Sequence, residues 1–136
     1  SYTSFKYADL NLPKEAKVGD KINVSVKVTN AGERDGEEVV QLYITDEKAS
    51  SPRPIRQLEG FKRISLKKGE SKTVEFSLEP RQLSMINDKN KQVIESGFFT
   101  IAVGGEQPGF TGSTNAETTD TLTGRIKLSG KVLEIK

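Results

Sequence analysis

The sequence predicts an antiparallel β-sandwich, and three observations carry that expectation. Apolar and polar residues alternate with a period of two, glycine-containing turn triplets separate the alternating runs, and no segment keeps a 3.6-residue period for ten residues. One domain suffices for 136 residues, a length that buries roughly two thirds of its unfolded surface without covalent staples. A hydrophobic share of 33% is low for a compact chain, but it suits sheets in which every second residue meets water.

The elements follow in order. A first strand is expected near 3–11. In 21–29, Ile22, Val24, Val26 and Val28 alternate with Lys21, Asn23, Ser25 and Lys27, so one face is apolar and the other wet. The strand near 37–45 differs: Val40, Leu42 and Ile44 line one face while Val39 and Tyr43 stand on the other, as suits a central strand with a partly covered outer face. Strands near 57–66, 71–79 (Val74, Phe76, Leu78), 91–94, 97–104 (Phe99, Ile101, Val103), 121–128 and 131–135 complete the set. Val18-Gly-Asp20, Asn30-Ala-Gly32, Lys68-Gly-Glu70, Glu95-Ser-Gly97 and Ser129-Gly130 read as the turns between them. Glu79-Pro-Arg-Gln-Leu-Ser84 predicts one helical turn with Pro80 near its first position. Two loops stand apart. Asp46 to Arg56 contains Pro52 and Pro54, which cannot donate to a central ladder. Gly104 to Asp120 carries a single aromatic, Phe110, and loops of that length tend to be functional or disordered.

Composition excludes several chemistries. Without cysteine there is no disulfide, thiolate nucleophile or cysteine-ligated zinc. The absence of histidine removes the commonest general base, the Ser/His triad and histidine-based metal sites. Asn87-Asp-Lys-Asn90 and Asp46-Glu47 offer oxygen ligands, but turn chemistry explains them and a calcium loop needs more carboxylates at fixed spacing, so no metal and no cofactor are expected. The segment 53–72 is basic, with Arg53, Arg56, Lys62, Arg63, Lys67, Lys68 and Lys72 against Glu59 and Glu70. It lacks the interleaved stacking aromatics of a nucleic-acid groove and reads as the solvated face of a strand. The net charge of +2 agrees with no nucleic-acid partner. No apolar run approaches the roughly 18 residues of a membrane-spanning helix. The cellular compartment is left open.

Several segments, taken together, resemble the fibronectin type III-like domain at the C-terminus of family-3 glycoside hydrolases, the β-glucosidases and β-xylosidases. They are Ser1-Tyr-Thr-Ser-Phe-Lys-Tyr7, Val28-Thr-Asn-Ala-Gly32 with Asp35-Gly-Glu-Glu-Val-Val-Gln-Leu-Tyr43, Gln57-Leu-Glu-Gly-Phe-Lys-Arg63 running into Leu66-Lys-Lys-Gly-Glu70, and Glu95-Ser-Gly-Phe-Phe-Thr-Ile-Ala-Val-Gly104. The resemblance runs in order from residue 1 to about residue 105. Gln92 stands where an aromatic is usual, Gly105-Glu-Gln107 replaces a small polar pair, and 106–120 lies outside the pattern. The resemblance implies an immunoglobulin-like sandwich, with the catalytic aspartate and glutamate in upstream domains. Ser1 then reads as a cut end within a longer chain, and 1–136 as a single fibronectin type III-like domain.

No catalytic residue is assigned to the chain itself. Glycoside hydrolysis needs two carboxyls at a set separation in a pocket that raises one pKa, and Glu37-Glu38, Asp46-Glu47 and Glu117 with Asp120 read as ordinary strand and loop charges. The expected role is bracing of the upstream catalytic domains. Val39 and Tyr43 are candidates for interdomain contact; the alternative is internal cover by the opening strand or by the 46–56 loop. Arg53, Arg56 and Phe110 are candidates for a loop at the substrate cleft, Arg for hydrogen bonds to an oligosaccharide and Phe for stacking. The competing reading is a stand-alone carbohydrate- or surface-binding module, against which stand the absence of Trp and the strand positions of Tyr2, Tyr7 and Tyr43.

Overall fold

The computed structural model describes residues 4–47, 56–105 and 121–136. Its strands are β1 (Phe5–Asn11), β2 (Glu15–Lys17), β3 (Ile22–Asn30), β4 (Gly36–Asp46), β5 (Arg56–Leu66), β6 (Ser71–Leu78), β7 (Met85–Ile86), β8 (Gln92–Ile94), β9 (Gly97–Gly104), β10 (Thr121–Ser129) and β11 (Leu133–Glu134). A 3₁₀ turn over Pro80–Leu83 follows β6, where the sequence predicts a helical turn with Pro80 leading it.

One sheet has the order β1-β3-β6, the second β2-β10-β9-β4-β5, and a small third sheet runs β11-β8-β7. The two larger sheets share one core in which Val24, Val26, Val28, Val74 and Phe76 of the first meet Val40, Leu42, Ile101, Val103 and Ile126 of the second. This is the β-sandwich that the period-two pattern predicts. In β3, Ile22, Val24, Val26 and Val28 are buried and Asn23 and Lys27 exposed.

Three features depart from the sequence reading. β2 is an unanticipated three-residue strand that pairs parallel to β10, with Glu15 opposite Lys127, so the second sheet is not wholly antiparallel. β7 is likewise additional, and the last strand shrinks to Leu133–Glu134. The basic residues of β5 also do not form a single wet face. Arg63 stands opposite Val39 and Lys62 opposite Val40, and neighbouring residues of a strand point to opposite sides.

Two local devices fix the frame. Asn30 is fully buried, and its side chain is saturated: Nδ2 donates to the carbonyls of Arg34 (2.8 Å) and Leu66 (3.1 Å), and Oδ1 accepts from the Gly32 amide (2.9 Å). It thereby ties the end of β3 to the end of β5, a buried polar group made tolerable by full pairing. In β1, a bulge between Ala8 and Asn11 places Asp9 at φ 55°, a left-handed conformation that Asp adopts more readily than most residues. Beyond the bulge, Leu10 and Leu12 pack on the core's margin beside Gly124, where a Cβ would stand 2.7 Å from Leu12 Cδ2.

Candidate functional site

β4 lies between β9 and β5, as expected of a central strand, and among the described residues β5 forms one edge of its sheet. Residues directly opposite each other share a face, so the register gives the outer surface row by row. Val39 stands opposite Arg63, Gln41 opposite Phe61 and Gly104, Tyr43 opposite Leu58 and Ala102, and Thr45 opposite Arg56 and Thr100. The rows continue onto β10 with Thr123, Arg125 and Lys127, the last opposite Phe98.

On this face the apolar side chains gather at the β4–β5 corner. Phe61 is 65% exposed and Leu58 49% exposed, while Val39 and Tyr43 are half-buried beside them. Tyr43 Oη donates to Gln41 Oε1 at 3.0 Å, which keeps its polar end within the sheet surface. Leu58 and Phe61 are three residues apart and share a face because β5 carries a bulge. The register shifts so that Gly60 opposes Leu42 and Leu58 opposes Tyr43, leaving Glu59 as the extra residue. Gln82 of the 3₁₀ turn fastens that bulge: Nε2 donates to the Glu59 carbonyl at 2.7 Å, and Oε1 accepts from the Glu79 amide at 2.9 Å. Inward, Gly60 lies under the Phe76 ring, where a Cβ would meet Cδ1 at 3.1 Å.

The far end of the same face holds a charged cluster. Arg125 stacks on Phe98 with its guanidinium carbon 3.7 Å from the ring centroid, and donates to Glu47 through Nη2 (2.9 Å) and Nε (3.1 Å). Thr100 Oγ1 donates to the same carboxylate at 2.7 Å. The Arg125 hydrogen bonds hold the Glu47 carboxyl below its ordinary pKa, outweighing the opposing effect of burial, with the Thr100 bond adding to the lowering. A glycosidase general acid needs the opposite displacement. Among the described residues no three Asp or Glu side chains converge as a metal site would require, and no helix is long and apolar enough to cross a membrane.

Of the residues singled out by sequence, Val39 and Tyr43 do stand together on the outer face, and Arg56 is exposed at the start of β5 on that same face. β1 belongs to the opposite sheet, where the Tyr7 hydroxyl donates to Glu38, so Phe5–Asn11 lies across the core from Val39 and Tyr43. Arg53 and Phe110 lie outside the described residues, as does most of the 46–56 loop. Sequence reasoning missed Leu58 and Phe61. Their signal was the three-residue spacing across Glu59-Gly60, which puts two bulky residues on one face only if the strand bulges.

The comparisons with known proteins fall in one place. The family model of the fibronectin type III-like domain matches residues 38–107. A β-xylosidase of Formosa agariphila is 48% identical over 105 residues, covering 76% of this chain and 14% of that protein. A thermostable β-glucosidase B of Acetivibrio thermocellus is 46% identical over 107 residues with the same shares. Among solved structures, a β-glucosidase of Listeria innocua in complex with gluconolactone superimposes with a TM-score of 0.81 at 31% identity, covering 97% of this chain and 17% of that one. The chain thus spans about one seventh of the length of the curated relatives it matches.

Proposed function

The chain belongs to the fibronectin type III-like domain family, and from that premise we propose that it is a non-catalytic accessory domain of a β-glucosidase- or β-xylosidase-type glycoside hydrolase of family 3. Its role is to brace the catalytic domains of the same longer chain. The observation that carries the reading is the share of each relative that is matched: six sevenths of proteins named β-xylosidase and β-glucosidase lie beyond the segment this chain resembles. The chemistry agrees. Glu47 is committed to Arg125 and Thr100, and its displaced pKa is of the wrong sign for an acid catalyst.

Removal of this domain from the longer enzyme tests the reading. The expected outcome is a lower melting temperature and loss of soluble, active protein, with no hydrolysis of aryl β-glucosides or β-xylosides by the isolated domain. An enzyme that keeps its activity and melting temperature without the domain would sink the bracing role. Specific retention of the isolated domain on polysaccharide would favour the sugar-binding module instead. The further suggestion that Arg53, Arg56 and Phe110 reach the substrate cleft has its own test. Phe110→Ala in the longer enzyme should raise KM for long oligosaccharides more than for short ones, and unchanged kinetics on both would remove that suggestion.

A further inference from the structure

Resting on that reading, we propose that the outer face of the β4–β5 corner is the surface on which the rest of the longer chain docks, and that the surface it meets is apolar at its centre with a polar border. Four observations lead there.

The first is orientation. β5 is an edge strand in which Phe61 and Leu58 face outward, while Gly60 and Lys62 stand on the inner side opposite Leu42 and Val40. These two residues contribute nothing to the domain's own core. Together with Tyr43 and Val39 they form a contiguous patch containing two aromatics, the composition that marks the centre of protein interfaces.

The second is the border. Arg56 and Arg63 lie at the two ends of the patch, opposite Thr45 and Val39. Glu37 approaches Arg63 at 3.6 Å with both side chains well exposed, a pair that gives little stability in water. An apolar centre with a charged rim of Arg56, Arg63 and Glu37 fits a counterpart built the same way, apolar at its centre and polar at its border.

The third is the blocked edge. A free edge strand invites strand addition, but here the Glu59 bulge interrupts it, Gln82 Nε2 occupies the Glu59 carbonyl, and Lys72 Nζ donates to the Ser65 carbonyl at 3.1 Å. Contact is therefore made through the face of the sheet rather than by an added strand.

The fourth concerns which partner. The six sevenths of the relatives that lie outside the matched segment supply a partner at fixed high local concentration, which a second copy does not have.

Hydrogen–deuterium exchange on the 136-residue chain alone and on the longer chain, each with and without Phe61→Ser, tests the assignment, with Ile86→Ser, at an exposed apolar position on another sheet, as control. Amides of 39–43 and 57–63 should exchange at least about tenfold more slowly in the longer chain, and Phe61→Ser should abolish that difference while Ile86→Ser preserves it. Protection confined to 85–86 and 132–134 would overturn this face while leaving the bracing role intact. No added protection anywhere, with the domain melting independently of the rest, would remove both. A concentration-dependent dimer of the isolated chain that Phe61→Ser dissolves would assign the patch to a second copy and overturn the proposal.

Discussion

In β3 the four apolar side chains from Ile22 to Val28 all point into the core, with polar residues outward; in the first half of β5 the arrangement is reversed. There Leu58 and Phe61 face outward, and Gly60 and Lys62 face in. Only from Ile64 to Leu66 does β5 return to the ordinary pattern, with Leu66 1% exposed. The difference teaches that alternation identifies a strand without identifying its core side. What fixes the side is the neighbour across the sandwich. In β3 the inner face meets the wall of Val40, Leu42 and Ile101. At β5 the Phe76 ring already fills the space beneath residue 60, so glycine fits there, and the Lys62 ammonium lies 5.6 Å from the same ring's centroid.

The comparison breaks most visibly by truncation. Ile22→Ala in β3 should cost about 2–5 kcal/mol of unfolding free energy in the 136-residue chain, because the buried side chain leaves a cavity. Phe61→Ala, although it removes a larger side chain, should stay within about 0.5 kcal/mol in the same chain, as exposed substitutions do. Urea titration measures both, with midpoint and slope compared. Equal losses would mean that Phe61 belongs to the domain's own core and that the two strands do not differ.

A smaller effect sharpens the cause. Gly60→Val drives a branched side chain at the Phe76 ring and should cost about 1–3 kcal/mol by overpacking. If Phe76 is what makes β5 reverse, the cost in a Phe76→Leu background should fall, with a coupling of about 0.5–3 kcal/mol in the double-mutant cycle. Strict additivity would locate the strain in the backbone instead.

Much of this architecture was legible in the residues. The repeated alternations in 21–29, 71–79 and 97–104 place β3, β6 and β9, and Lys68-Gly-Glu70 is a turn with Gly69 at φ 80°. β2 was not legible, because three residues that join β10 through backbone hydrogen bonds leave no side-chain period to read. β7 is shorter still. The candidate interface was half legible: Val39 and Tyr43 betray themselves as apolar residues on the second face of a central strand. Leu58 and Phe61 do not, since their common side depends on a bulge, and the bulge depends on Gln82, more than twenty residues further along the chain.

The least effect belongs to the charged end of the same face, where Glu47 replaces hydrophobic contact as the tie between strands. Its carboxylate accepts from Arg125 of β10 and Thr100 of β9, while its amide donates to the Phe98 carbonyl at 3.0 Å. Because the folded carboxyl titrates below the ordinary range of a glutamate, the charged form contributes stability that is fully present above the unfolded pKa and is lost as pH falls through the folded one. Glu47→Gln should therefore lower the melting temperature by about 1–3 °C near neutral pH. Added salt should shrink that gap, and wild type and variant should converge below the folded pKa, where both side chains are neutral. Melting curves from pH 7 downward decide the point. A gap that persists unchanged into acid would assign the contribution of Glu47 to its packing between Phe98, Thr100 and Arg125 rather than to its charge.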